Sequence, residues 1–283
     1  MSTYLERLSA RSRTVGNVLC VGVDPQSEAL PAGFPRTLAG VERFCEILLE
    51  AALPVAAAVK PNLAFFEAFG HEGLAALERL RNRVPADVPF VADAKRGDIG
   101  STAARQAVAL FDILGADAVT VSPYVGSEAV LPLIERGDRF AYLLCRTSNP
   151  GAGELQNLEV AADESIGAAT EPLYARVARR AQQWGPGGTV GLVVGATAPA
   201  ELERIRAIAP GLPFLVPGVG AQGGEVEPVL RFGPAAPRAA GRGLLVNVSR
   251  GISGAAKAEG DVAERIADAA AEWSARLSLD RLG

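Results

Sequence analysis

Apolar residues in this chain come in short unbroken runs, separated by longer stretches with a helical spacing of hydrophobic positions. The runs are Leu19 to Val23, Val55 to Lys60, Phe90 to Ala92, Ala118 to Ser122, Phe140 to Cys145, Val190 to Gly195, Phe214 to Pro217 and Leu244 to Val248. Runs this short that do not alternate polar with apolar read as strands buried on both faces. The stretches after them predict helices over 37–53, 71–84, 101–114, 127–136, 163–184, 199–209, 224–231 and 256–277. Strands alternating with helices in this way predict a parallel sheet covered on both sides. Eight such units in 283 residues predict an α/β fold, a single-domain (β/α)8 barrel over residues 1–283, preceded by a short helix over 4–13. The Gly/Pro-rich stretch from Phe232 to Gly243 separates the seventh unit from the last strand.

Composition narrows the function classes. A net charge of −4 without a basic stripe leaves no nucleic-acid footprint. The longest apolar run, Ala51 to Val59, is too short to span a bilayer, so no membrane role is expected. The first residues show no signal-peptide core, and Cys20, Cys45 and Cys145 are scattered without metal or redox spacing, which fits a reducing cytoplasm. The single histidine, His71, excludes a multi-histidine metal site and argues against a Ser-His-Asp triad. Chemistry is therefore expected to rest on carboxylates, lysine and arginine.

The cations sharpen this. Only three of the 28 are lysines (Lys60, Lys95 and Lys257), and two of those three end apolar strands. Arginine stays protonated, whereas lysine can give up a proton. At the end of the third strand, Asp93 and Lys95 lie two residues apart, a spacing that puts both side chains on one face. Gly97 then breaks the strand and Asp98 follows, so two carboxylates bracket Lys95 and favour its charged form. Asp24, Lys60, Ser122, Arg146 and Arg250 also sit at or just beyond strand C-termini, which converge on one mouth in a barrel.

Two late segments suit an anion. Pro217 to Gly224 is glycine-rich, follows the seventh strand and leads into a helix, and small residues there let backbone N–H groups close on a phosphate. After the eighth strand, Arg250 offers a guanidinium fork that matches phosphate oxygens. The loop from Thr147 to Asp163, with Pro150, Gly151 and Gly153, has the length and hinge chemistry of a lid.

The run Asp93-Ala94-Lys95-Arg96-Gly97-Asp98-Ile99-Gly100-Ser101-Thr102 resembles the D-x-K-x-x-D-I signature of the orotidine 5'-monophosphate decarboxylase family. The resemblance covers almost the whole barrel through Val21 to Asp24, Val59 to Asn62, Arg146 to Pro150, Pro217 to Gly223 and Arg250, and the wording and longer spacing resemble the group found in mycobacteria and related bacteria. It implies cofactor-free decarboxylation of orotidine 5'-monophosphate (OMP) to UMP in pyrimidine biosynthesis. Carried over by position, it implies Lys95 as the acid that protonates C6 and Asp93 against the departing carboxylate. Lys60 and Asp24 would hold ribose hydroxyls, with Asn62 beside them. Ser148 would contact the pyrimidine, and Pro217, Gln222 and Arg250 the phosphate end. Asp98 and Thr102 would reach the neighbouring subunit's site, making a homodimer with shared active sites.

Three alternatives remain open on sequence alone. A Schiff-base aldolase also places lysine at a barrel strand end, although it needs a depressed lysine pKa. A Mg²⁺-dependent sugar-phosphate decarboxylase shares the D-x-K-x-x-D core. A non-catalytic nucleotide-binding barrel would keep the phosphate cradle without the chemistry.

Overall fold

The computed structural model of the chain describes residues 2–185, 188–235 and 240–282. Its centre is a barrel of eight parallel strands: β1 (Leu19–Val23), β2 (Ala58–Pro61), β3 (Val91–Arg96), β4 (Ala118–Val121), β5 (Phe140–Arg146), β6 (Val190–Val194), β7 (Phe214–Pro217) and β8 (Leu245–Val248). Neighbours pair in chain order from β3 to β8, and β8 then pairs with β1 and β1 with β2. Parallel bridges Val59–Phe90 and Asn62–Asp93 join β2 to β3 and close the ring. The expected (β/α)8 barrel is thus the observed one.

Two apolar layers follow from the strand period of two. One side of each strand faces the helices, and Val21, Val59, Val119, Leu143, Leu192, Val216 and Val246 belong to that outer core. The other side faces the barrel axis, where Cys20, Ala58, Val91, Ala118, Tyr142, Val193, Leu215 and Leu245 pack together. The N-terminal helix Tyr4–Val15, started by a Thr3/Glu6 capping box, plugs the bottom with Tyr4 and Leu8. Tyr4 stacks on Phe140 at 4.8 Å, and its hydroxyl meets that of Tyr142 at 3.1 Å. The bottom of the barrel is therefore closed by buried side chains. Two residues further along each strand, the same inward direction meets Gly22, Lys60, Asp93, Thr120, Leu144, Pro217 and Asn247. The polar mouth is one residue layer above the apolar plug.

The structure corrects the sequence reading in the second half of the chain. The helix expected from Asp163 starts only at Leu173 and ends at Trp184. Glu159–Val160 and Glu171–Pro172 instead form a small antiparallel ribbon, because Pro172 cannot sit inside a helix and Gly167 turns at φ 61°. Glu171, within the ribbon, is buried and held by Arg176 at 3.1 Å and Arg179 at 2.9 Å. The last helix begins at Val262 rather than Ala256, where the Asp261 carboxylate accepts from the N–H groups of Ala263 and Glu264. Of the Phe232–Gly243 stretch, residues 236–239 lie outside the described residues. Among the described residues, no helix is long and apolar enough to cross a membrane.

Candidate active site

Asp93 is the centre of the mouth. Its Oδ2 accepts from Lys60 Nζ at 2.6 Å and its Oδ1 from Lys95 Nζ at 2.6 Å. A third donor, the Thr120 hydroxyl, reaches Oδ1 at 2.9 Å. The two lysines differ in exposure: the Lys60 side chain is 5% exposed and that of Lys95 49%. Lys60 is thus packed against Asp93 with little of its surface open, whereas Lys95 presents the more open ammonium.

Electrostatics favours the charged triad. Burial alone would lower the pKa of Lys60, but Asp93 and Asp24 outweigh it and hold the ammonium above its ordinary range. Burial alone would raise Asp93, but Lys60 and Lys95, each also hydrogen-bonded to it, keep its carboxyl below the usual carboxylate range. The signs define a pH window. The Asp93 contribution to stability is present above the ordinary carboxylate pKa and is lost as pH falls through the depressed one. The Lys60 contribution is complete below the ordinary ammonium pKa and is lost as pH rises through the elevated one.

The geometry of β3 departs from the simple strand expectation. The β3–β4 register shifts between Ala92 and Arg96, and Lys95 takes φ 45°. Asp93 and Lys95 meet through a bulge that turns the lysine back onto the carboxylate. Gly97 lets the chain leave the strand closely, since a Cβ there would lie 2.7 Å from Ser122 O.

A cavity of about 430 Å³ opens above Asp93. Of the residues singled out in the sequence, it brings together Asp24, Lys60, Asn62, Asp93, Lys95, Ser148, Pro217 and Gln222. Arg250 lies at its far end, lining a cleft of about 70 Å³ with Asp24, Pro217, Gly218, Gln222 and Ser249. Gly218 has φ +99°, and a Cβ there would lie 2.8 Å from Ser148 Cβ and 3.0 Å from Gln222 Oε1. Only glycine fits where this loop meets the one after β5. Asp24 Oδ1 is buried without a hydrogen-bond partner, as is Asn247 Oδ1, so the cavity wall has unused polar capacity.

Four expected residues fall elsewhere. Arg146 turns away from the cavity, donating to Thr147 O at 2.8 Å and lying 3.6 Å from Glu201. Ser122 lines a separate apolar hollow with Tyr124, Leu155 and Trp184. Asp98 does not bracket Lys95 within the chain; its Oδ1 accepts from Ile99 N at 2.7 Å. Thr102 is exposed on the helix Gly100–Ala107. The carboxylate at 98 and the hydroxyl at 102 therefore sit beside the mouth without lining it.

Several lining residues were not singled out individually: Thr120, Gln156 and Asn247, with Thr147 and Asn149 from the Arg146–Pro150 segment already flagged. Thr120 and Asn247 had a sequence signal, each being a lone polar residue inside an apolar strand. Gln156 had none. It ties the loop after β5 to itself, its Oε1 accepting from Thr147 N at 2.8 Å and its Nε2 donating to Thr147 Oγ1 at 2.8 Å.

Comparison with known proteins gives one family. A sequence profile of the orotidine 5'-phosphate decarboxylase / HUMPS family matches residues 17–266. Curated orotidine 5'-phosphate decarboxylases of Roseiflexus castenholzii and Herpetosiphon aurantiacus are 46% and 43% identical to the chain, each match covering 88% of both sequences. The solved OMP decarboxylase of Leishmania donovani superposes with a TM-score of 0.83 at 40% identity, over 100% of both chains. The chain belongs to the orotidine 5'-phosphate decarboxylase / HUMPS family, and by its likeness to the curated decarboxylases it is a lyase.

Proposed function

We propose that this enzyme converts OMP to UMP and carbon dioxide without a cofactor, in pyrimidine biosynthesis in the cytoplasm, with Lys95 as the acid. The observation that carries the reading is the half-exposed Lys95 ammonium, held 2.6 Å from a carboxylate that a buried lysine also anchors. Breaking the C6–carboxylate bond leaves the electron pair in the ring plane, where the π system cannot delocalise it. A cation already aimed at that carbon is the main stabilisation available. Lys95 supplies the cation and then the proton, so the pair ends in the new C6–H bond. Asp93, fixed by its three donors, lies against the departing carboxylate and keeps Lys95 in place.

The remaining residues are positioned to hold the nucleotide. Asp24 and Lys60 face the ribose hydroxyls, with Asn62 beside them, and Ser148 faces the pyrimidine. Pro217, Gln222 and Arg250 form the phosphate end, remote from the bond that breaks. Binding energy there supports orientation and closure. Asp98 and Thr102 serve the neighbouring subunit of a homodimer. The elevated pKa of Lys60 speaks against its use as a Schiff-base amine, which must be neutral to attack a carbonyl.

The direct test is the fall in OMP absorbance on adding purified enzyme in the presence of a metal chelator. No fall in absorbance, with UMP bound tightly, would instead favour a nucleotide-binding barrel. The phosphate assignment has its own test. Arg250→Ala is expected to raise KM for OMP and lower kcat/KM by about 1.5–3 kcal/mol, the worth of a lost charge-assisted contact. Orotidine, which lacks the phosphate, should be affected far less. Equal losses for both substrates would place Arg250 outside the phosphate site.

A further inference from the structure

Thr120 is a hydroxyl in an otherwise apolar strand, 2% exposed and one strand away from the reacting lysine. Its Oγ1 donates to Asp93 Oδ1 at 2.9 Å and accepts from the backbone N–H of Lys95 at 2.9 Å. A threonine hydroxyl has one proton to give and lone pairs to receive, so both bonds form at once. They span the place where β3 is irregular. The register against β4 shifts between Ala92 and Arg96, and Lys95 is the only non-glycine residue with positive φ among the described residues. A long side chain in the left-handed region persists only where its surroundings over-determine it. The bulge takes the Lys95 N–H out of the ladder, and the Thr120 hydroxyl receives it in place of a strand carbonyl.

We propose that Thr120 is a positioning residue for the decarboxylation, its hydroxyl clamping the β3 bulge so that the Lys95 ammonium points at Asp93 and at the substrate's C6. This rests on the reading of Lys95 as the acid. One oxygen sets both the lysine's backbone and the orientation of the carboxylate that receives its side chain, so the distance between proton and carbon depends on it. Valine has the shape of threonine and can make neither bond; serine can make both.

The test measures kcat, KM and UMP affinity for Thr120→Val and Thr120→Ser, with uptake of deuterium at C6 of UMP in heavy water as an independent report on the acid. Misaimed by the order of an ångström, Lys95 should lose rate with little loss of binding. Thr120→Val is expected to lower kcat roughly 10- to 100-fold, to slow deuterium uptake in proportion and to leave UMP affinity nearly unchanged. Thr120→Ser is expected to keep most of the parent rate. Parental kcat in Thr120→Val would overturn the inference. So would equal damage in the serine variant, or a loss of UMP affinity as large as the loss of kcat. Should Thr120→Val not fold, Thr120→Ala removes the same two bonds and is judged against serine by the same outcomes. A parent enzyme that does not consume OMP overturns the reading of the reaction, and this inference with it. An active parent with an equally active valine variant overturns the inference alone.

Discussion

Lys95→Ala is expected to remove turnover while leaving UMP binding close to that of the parent. Two losses combine, the cation that stabilises the in-plane electron pair and the proton that ends the reaction. General acid catalysis contributes roughly 10²- to 10⁴-fold and a preorganised charge roughly 10²- to 10³-fold more. The fall should therefore be at least about 10⁴-fold in kcat, the product of the two lower bounds. UMP has no carboxylate to lose, and on the proposed reading its phosphate and ribose contacts lie at Arg250, Gln222 and Asp24, so its affinity, read by calorimetry, should hold. Lys95 is the better residue to test than Asp93. Removing Asp93 strands the buried Lys60 ammonium at a cost of about 3–5 kcal/mol, so that lost folding and lost catalysis would be confounded. The half-exposed Lys95 leaves no such orphan. Lys95→Arg should be nearly as damaging, because a guanidinium keeps the charge and does not give up its proton. Substantial activity in that variant would reduce Lys95 to a counter-ion, and loss of UMP binding together with turnover would count against the acid role.

What the sequence conveyed about this site follows from parity. In a parallel barrel every second residue of a strand faces the axis, so an apolar run that ends in Asp, Lys or Asn announces where the packed interior gives way to the mouth. Asp24, Lys60 and Asp93 were legible for that reason and Asn62 through the family resemblance, and the cavity contains all four. The same logic applied to single polar residues within a run would have found Thr120 and Asn247. Other features had no local signal. The bulge at Lys95 is imposed by the neighbouring strand, since nothing in Asp-Ala-Lys-Arg by itself requires a left-handed lysine. Arg146 ends its strand as Lys60 does, yet turns to Glu201 because β5 also shifts register, between Leu144 and Arg146. The helix expected from Asp163 failed on Pro172 and Gly167, two breakers present in the sequence but outweighed there by the amphipathic pattern downstream.

Asp98 and Thr102 set up the second large effect. Both lie just after β3, yet neither lines the cavity of its own chain. Ile99, beside Asp98, is 54% exposed, and Tyr124 and Val125 after β4 are 83% and 46% exposed, so the surface around these residues is apolar for an exterior. If this surface pairs two copies about a two-fold axis and Asp98 serves the neighbour's site, Lys95→Ala and Asp98→Ala homodimers should each be nearly inactive. Mixing them under conditions of subunit exchange makes heterodimers. One site of each then carries both lesions, while the other combines an intact Lys95 from one chain with an intact Asp98 from the other. With random exchange half the dimers are mixed and half of their sites are whole, so about a quarter of parental activity should return. If Asp98 acts within its own chain, every site retains a lesion and mixing restores nothing. A flat mixing curve, with exchange demonstrated by a size or mass label, would refute the shared site and leave the in-chain pairing of Asp93 with Lys60 and Lys95 untouched.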